Sequence, residues 1–154
     1  MPGAEARLAE LGLTLPSPTP PGTNRVPAVR SGSLVFLSGH GPPLGEGGFP
    51  PGKVGRELDL ATGQAAARAT GIALLAALRA EIGSLDRVRR VVKVLGMVNC
   101  APGFNQTSKV IDGCSDLFVE VFGPDMGRHA RSAVGMAELP LDFPVEIEMI
   151  VEVE

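Results

Sequence analysis

The chain has no tryptophan and no tyrosine, and its only aromatic rings are six phenylalanines. Proteins that hold single-stranded nucleic acid stack bases on aromatic side chains, so this composition speaks against that class. Basic runs are missing too. Fourteen Lys plus Arg face 17 Asp plus Glu, the sequence pI is about 5.4, and no stripe of positive charge of the kind that binds phosphate backbones is present. Only two cysteines (Cys100 and Cys114) and two histidines (His40 and His129) occur, with no CxxC pair and no metal-ligand spacing. No metal site is expected. The two thiols read as reduced and part-buried. No apolar run approaches the roughly 20 residues of a membrane span, and MPGAEARLAELGL lacks the layout of a signal peptide. The expectation is a cytoplasmic protein without membrane or nucleic-acid partners.

What is present is a globular pattern: 154 residues, 44% apolar, net charge −3. A single domain of that size buries roughly 70% of its unfolded surface. Residues 4–11 can form two helical turns ended by Gly12, and Pro16, Pro18, Pro20 and Pro21 make the next stretch an extended strap. The division expected is a strap region over 1–24 and one domain over 25–154. VPAVRSGSLVFLSGH reads as a β-hairpin with its second strand over Leu34–Ser38, and 41–52 as a Gly/Pro loop. Asp59 caps a long Ala-rich helix to about Ile82, with Ala67, Gly71, Leu74, Leu75, Leu78 and Ile82 on one stripe. Val88–Asn99 is β-branched and reads as a strand, Ala101–Gly113 as a loop, and Ser115–Phe122 as a helix closed by Gly123. Two last strands, Arg131–Leu139 and Pro144–Glu154, are joined by a tight turn at 140–143. In the last, Val145, Ile147, Met149, Val151 and Val153 make an apolar face.

The order β-β-α-β-α-β-β implies an α+β sandwich, one sheet with both helices on one face. Its other face would carry Ile150 among glutamates together with Val92, Val94 and Val98. A surface too apolar to be wet and too charged to be a core marks an oligomer interface with a pocket.

The chemistry concentrates in few places. Arg131 and Glu146 would lie on paired strands, where an arginine fork can hold a carboxylate and a carboxylate can orient water or shuttle a proton. Such a pair is more often a structural ion pair. Ser38-Gly39-His40 ends a strand with backbone open to a ligand, or is a plain strand-end turn, and His40 is a base, a donor or a structural histidine. GEGG neither follows a strand nor opens a helix, so it is no dinucleotide fingerprint. GxSxG and P-loop motifs are missing, and Asp112 and Asp116 lack the other ligands of a calcium loop.

GSLVFLSGH, the Ala-rich helix, VVKVLGMVN, ARSAVGMAELP and PVEIEMIVEV resemble, in order, the signature blocks of the Rid family. These are the reactive intermediate deaminases, also called YjgF-like and, in older naming, endoribonuclease L-PSP. The resemblance implies a chorismate-mutase-like fold assembled as a homotrimer, with clefts between subunits. It implies hydrolysis of an amino-acid-derived enamine or imine to a 2-oxo acid and ammonia, so the partners expected are a small carboxylate-bearing metabolite and further copies of the chain. By the resemblance Arg131 anchors the substrate carboxylate, Glu146 positions water, Gly39 donates from its backbone beside Ser38, and no metal or organic cofactor is needed.

The departures from the deaminase branch are definite. Arg25 stands where that branch has a tyrosine, His40 where it has a glutamine, and Ser115 where it has an asparagine. The loop before the second helix is longer. These residues would shape the pocket of a longer-chain subgroup. A trimeric binder or regulator of 2-oxo acids is the alternative, a ribonuclease is disfavoured by charge and composition, and chorismate mutase activity rests on fold analogy alone.

Overall fold

The computed structural model describes residues 2–154. In chain order the elements are α1 (Ala4–Glu10), β1 (Ala28–Ser31), β2 (Leu34–His40), α2 (Leu60–Ile82), β3 (Val88–Asn99), α3 (Thr107–Gly127), β4 (Ala130–Met136) and β5 (Val145–Val153). The five strands form one sheet in the order β1-β2-β5-β3-β4. All neighbours are antiparallel except β3 and β4, which run parallel with α3 as their crossover. Helix α2 packs over β2 and β5, and α3 over β3 and β4, so both helices cover one face.

The local signals act as their chemistry requires. The Asp59 carboxylate accepts from the Thr62 backbone N–H at 2.8 Å, capping α2, and Gly83 ends it. Val145, Ile147, Met149, Val151 and Val153 of β5 are all buried. Between the helices, small residues permit close approach. A Cβ on Gly113 would stand 2.1 Å from the Gln64 backbone carbonyl oxygen, so at this point α3 meets the backbone of α2 directly.

Three sequence expectations are corrected. First, Gly113 lies inside a helix: α3 begins at Thr107, taking in half of the expected loop. The glycine is demanded by the α2 contact and does not mark a break. Gly123, with φ 80° and ψ 166°, does interrupt the helix, which adds one further turn to Gly127. Second, β4 ends at Met136 and is no hairpin partner of β5; its partner is β3, and β5 lies between β2 and β3. A crossover helix of this length satisfies the need of a parallel pair for a long connection. Third, Val94 and Val98 face the helices and are fully buried. The β3–β5 register shifts twice, between Val88 and Arg90 and between Val91 and Lys93. Each irregularity changes which residues point inward, so the open face carries Lys93, Leu95 and Met97.

The open face nonetheless keeps its mixed character. Phe36 (42% exposed) and Val134 (39%) lie on it with Ile150 and Leu95. The N-terminal segment belongs to the same core: Ala4, Leu8 and Leu15 are buried with the helices, and α1 packs against α3.

The α2–α3 contact gives a direct test. Overpacking a close contact costs about 1–3 kcal/mol and occasionally more, and the neighbour at Gly113 is backbone, which cannot rotate away. Gly113→Ala is expected to cost about 3 kcal/mol in urea unfolding, whereas Gly32→Ala, in open space but at φ +63°, should cost about 1 kcal/mol.

Candidate functional site

Two groups of polar side chains stand apart in the chain. The first lies where β2 ends and β5 begins, around a cavity of about 510 Å³ whose walls include Arg25, Ser38, Gly39, His40, Phe143 and Glu146. The Pro-rich strap supplies one wall through Thr19 and Pro20. A Cβ on Gly39 would sit 2.6 Å from Glu146 Oε2, so the absence of a side chain there is what lets the carboxylate lie against the β2 backbone. Burial raises the pKa of Glu146 above its ordinary 4.5; the neighbouring Glu148 carboxylate adds to the rise, and His40 opposes it. Ser38 Oγ donates to the Val26 carbonyl at 2.6 Å, fixing the strap to the strand. The His40 ring is buried, with Nδ1 2.7 Å from the Ser38 carbonyl oxygen. A carbonyl only accepts, so Nδ1 carries a proton, and Nε2 has no partner among the described residues. Arg25 lines the cavity and makes no ion pair among the described residues.

Residues 140–142 close the cavity from the β5 side. Leu141 and Asp142 hold positive φ of 54° and 58°, a conformation that costs non-glycine residues about 1–3 kcal/mol each and persists only where surroundings enforce it. The enforcement is visible. Asn99, fully buried, donates from Nδ2 to Asp142 Oδ1 at 2.9 Å and accepts from Lys53 Nζ at 2.7 Å, and the Gly52 N–H donates to the Asp142 carbonyl at 2.7 Å. Leu141 is thereby held 80% exposed at the cavity rim.

The second group is built on α3 and β4. Arg131 Nη1 donates to Asp112 Oδ1 at 2.8 Å and to Ser115 Oγ at 3.1 Å. Ser115 Oγ lies 3.0 Å from His129 Nε2, and His129 Nδ1 lies 2.7 Å from the Gly127 carbonyl oxygen. The edge of Phe118 meets the imidazole with centroids 6.0 Å apart. Burial lowers the His129 pKa below 6.5, Arg131 lowers it further, and the bond to Gly127 opposes them. A shallow hollow bounded by Ser115, Asp116, Arg128, His129 and Arg131 opens to solvent.

The structure therefore brings Arg25, Ser38, Gly39, His40 and Glu146 together, and Ser115 and Arg131 together, but not the two sets. Arg131 pairs with Val94, whose side chain faces the helices, and Glu146 pairs with Met97 on the open face. Their backbones are separated by two strand spacings and three residues along β3, about 14 Å in all, and their side chains leave opposite faces. The expectation that a hairpin brings them to one sheet end is overturned by the β4–β3 pairing.

Sequence reasoning also passed over His129 and Asp112 as functional candidates. The signal existed: His129 and Arg131 are two apart in extended chain, hence on one side, and Asp112 and Ser115 are three apart on a helix, hence neighbours. The thiols stay outside both groups. Cys114 is fully buried and its pKa is pushed up by burial, as is that of Cys100.

A mixed five-stranded sheet with two helices on one face defines the chorismate-mutase-like class of α+β protein. The chain matches the family described as "YjgF/chorismate mutase-like, putative endoribonuclease" over residues 5–153 and belongs to it, the family also called Rid. It is 45% identical to Protein TCP17 of Trypanosoma cruzi over 147 residues, 96% of this chain and 92% of that protein. Among solved structures, the protein Atu1372 of Agrobacterium tumefaciens, described as of unknown function, is 42% identical, with a TM-score of 0.88 over 98% of this chain and 92% of its own. A Shewanella oneidensis protein carrying the endoribonuclease description is 29% identical, with a TM-score of 0.92 over 99% and 100% of the two chains.

The raised pKa of Glu146 sets the sign of a stability test. Between the unfolded value of 4.5 and the higher folded one, the folded state holds more protons than the unfolded state. Stability therefore falls as pH rises through that window. Glu146→Gln is expected to raise the melting temperature at pH 7, with the gain fading towards pH 4; a lower melting temperature at pH 7 would show that the carboxylate is stabilised by its surroundings.

Proposed function

We propose that the protein hydrolyses an imine or enamine derived from an amino acid to a 2-oxo acid and ammonia, in a cleft completed by two copies of the chain within a homotrimer. The observation that carries the reading is the division of the polar residues. Arg131 with Ser115 can anchor a carboxylate by charge-assisted bonds, and Glu146 beside Gly39 can handle water and protons, yet one chain holds them on opposite faces. Each half lacks what the other has. A second copy seated against the open face, where Phe36, Val134 and Ile150 lie uncovered, removes apolar surface from water and joins unlike halves.

The chemistry asked of such a cleft is modest. An imine carbon is already electrophilic, so positioning the carboxylate, placing a water and accepting a proton suffice. A carboxylate whose pKa is raised by burial is a better proton acceptor than a free one and can return the proton in a later step. Arg25 at the cavity mouth extends the recognition surface towards a second acidic group, favouring substrates with an additional carboxylate or a phosphate over small neutral ones. A second reading is a binder of 2-oxo acids without turnover, because Arg131 with Ser115 can hold a carboxylate whether or not Glu146 takes part.

Turnover separates the two. Imino acids generated in place by an amino-acid oxidase are followed as they disappear. The wild type is expected to accelerate the loss, Arg131→Ala to lower kcat/KM by about 10- to 100-fold as befits a charge-assisted bond, and Glu146→Gln to lower kcat by about 100-fold or more. No acceleration across small, branched and acidic imines would reject the deaminase reading. Light scattering at micromolar concentration is expected to give three times the chain mass of 15.9 kDa, and a monomeric mass would undo the shared cleft.

A further inference from the structure

The α3–β4 cluster holds more chemistry than an anchor for a carboxylate requires. A guanidinium can grip an anion unaided, yet a hydroxyl and an imidazole are placed beside this one in a directed chain. The His129 bond to the Gly127 carbonyl leaves the proton on Nδ1 and the lone pair on Nε2. The Ser115 hydroxyl must then donate to His129 Nε2, 3.0 Å away. Its oxygen accepts from Arg131 Nη1 at 3.1 Å. All three links point one way, so a proton arriving at Ser115 Oγ has a defined exit to His129. A hydroxyl in contact with a base that a third group orients is the general arrangement of an activated side chain. Burial keeps the imidazole neutral, and the groups facing it from α3 and from the chain entering β4 are Ser115, Asp116, Arg128 and Arg131, with Asp112 acting through Arg131.

We propose that Ser115 and His129 form a proton relay, in which Ser115 accepts the hydroxyl proton of the carbinolamine as its C–N bond breaks and passes its own proton to His129 Nε2. The relay rests on the deaminase reading and supplies what that reading lacks, a second proton-handling group. Water adds to the protonated imine, its oxygen bonding to carbon while the C=N π pair returns to nitrogen, and one water proton goes to the Glu146 carboxylate. Glu146 returns that proton to nitrogen. The O–H pair then forms C=O, the C–N bond breaks and ammonia leaves, and the released hydroxyl proton enters Ser115 as Ser115's own moves to His129. The imidazolium gives its proton to solvent. Ser115 is the catalytic member, and His129 is a positioning residue that acts through it.

The test uses the full-length protein and the in situ imine assay. His129→Gln, Ser115→Ala and their double variant are measured from pH 5 to 9 beside the wild type, with circular dichroism to confirm folding. Each single variant is expected to lower kcat by about 10²-fold with KM little changed, because Arg131 still anchors the carboxylate. The double variant should be no slower than the slower single, the sign of groups acting as one unit. On the acid side the wild-type profile reports both Glu146 and His129, so His129→Gln should lose one of the two proton dependences while Glu146's remains. Ser115→Ala keeps the imidazole and its bond to Gly127, so an equal loss there excludes a folding defect at His129. Unchanged kcat and acid limb in His129→Gln, with the wild type active, would overturn the relay and leave the deaminase reading standing. An inactive wild type would overturn both.

Discussion

The pairing of β4 with β3, parallel and at the sheet edge, is the constraint on which the rest of the molecule depends. It obliges the chain to cross over the sheet between the two strands, and α3 is that crossover. The same pairing registers Arg131 with Val94, on the helix-facing side, so the guanidinium meets α3 and finds Asp112, Ser115 and the Ser108 carbonyl there. It also leaves β5 free to lie between β2 and β3, which brings Glu146 against Gly39 on the other side. A hairpin of β4 with β5 would have joined anchor and carboxylate within one chain. The observed order separates them and makes association of chains a condition of any shared chemistry.

The two half-sites are tuned in opposite senses by the same force. Burial raises the carboxyl of Glu146 and lowers the imidazole of His129, because a low dielectric penalises the charged form of each. Each group is therefore held towards its neutral form. His40 adds a third polar atom, a buried Nε2 without a partner. It stands one residue from Gly39, beside the carboxylate whose charge it favours.

The sequence made the apolar skeleton legible because periodicity reports burial directly. Helix α2 was bounded by Asp59 and Gly83, and β5 declared itself by strict alternation. What it concealed was pairing. Alternation in ARSAVGM is compatible with a hairpin or with a parallel edge strand, and the choice is made by how α3 packs, a long-range matter. Gly113 misled for a related reason, since a glycine required by another helix's backbone looks locally like a terminator. The bulges in β3 hid the true open face, because two shifts of register leave no mark in composition. Site residues followed the same rule. Those in motifs, Ser38, Gly39 and Glu146, stand out in the sequence, and one cavity gathers them with Arg25 and His40. His129 and Asp112 become relevant only once α3 and β4 are in contact.

The missing aromatics take on a structural meaning at this point. A pocket without tyrosine or tryptophan has no rigid, amphipathic wall to orient a planar substrate, and this chain meets that need otherwise. The strap and the 140–142 turn supply the enclosing surface, the turn at the expense of two positive-φ residues held by Asn99 and Lys53, while Arg25 and His40 supply polar contacts. Walls made of backbone and proline are stiff because their own dihedrals are fixed, whereas a ring must be locked by packing. A pocket so built selects by charge and hydrogen bonds more than by stacking. That is consistent with a substrate whose recognisable parts are a carboxylate and a reactive C=N group.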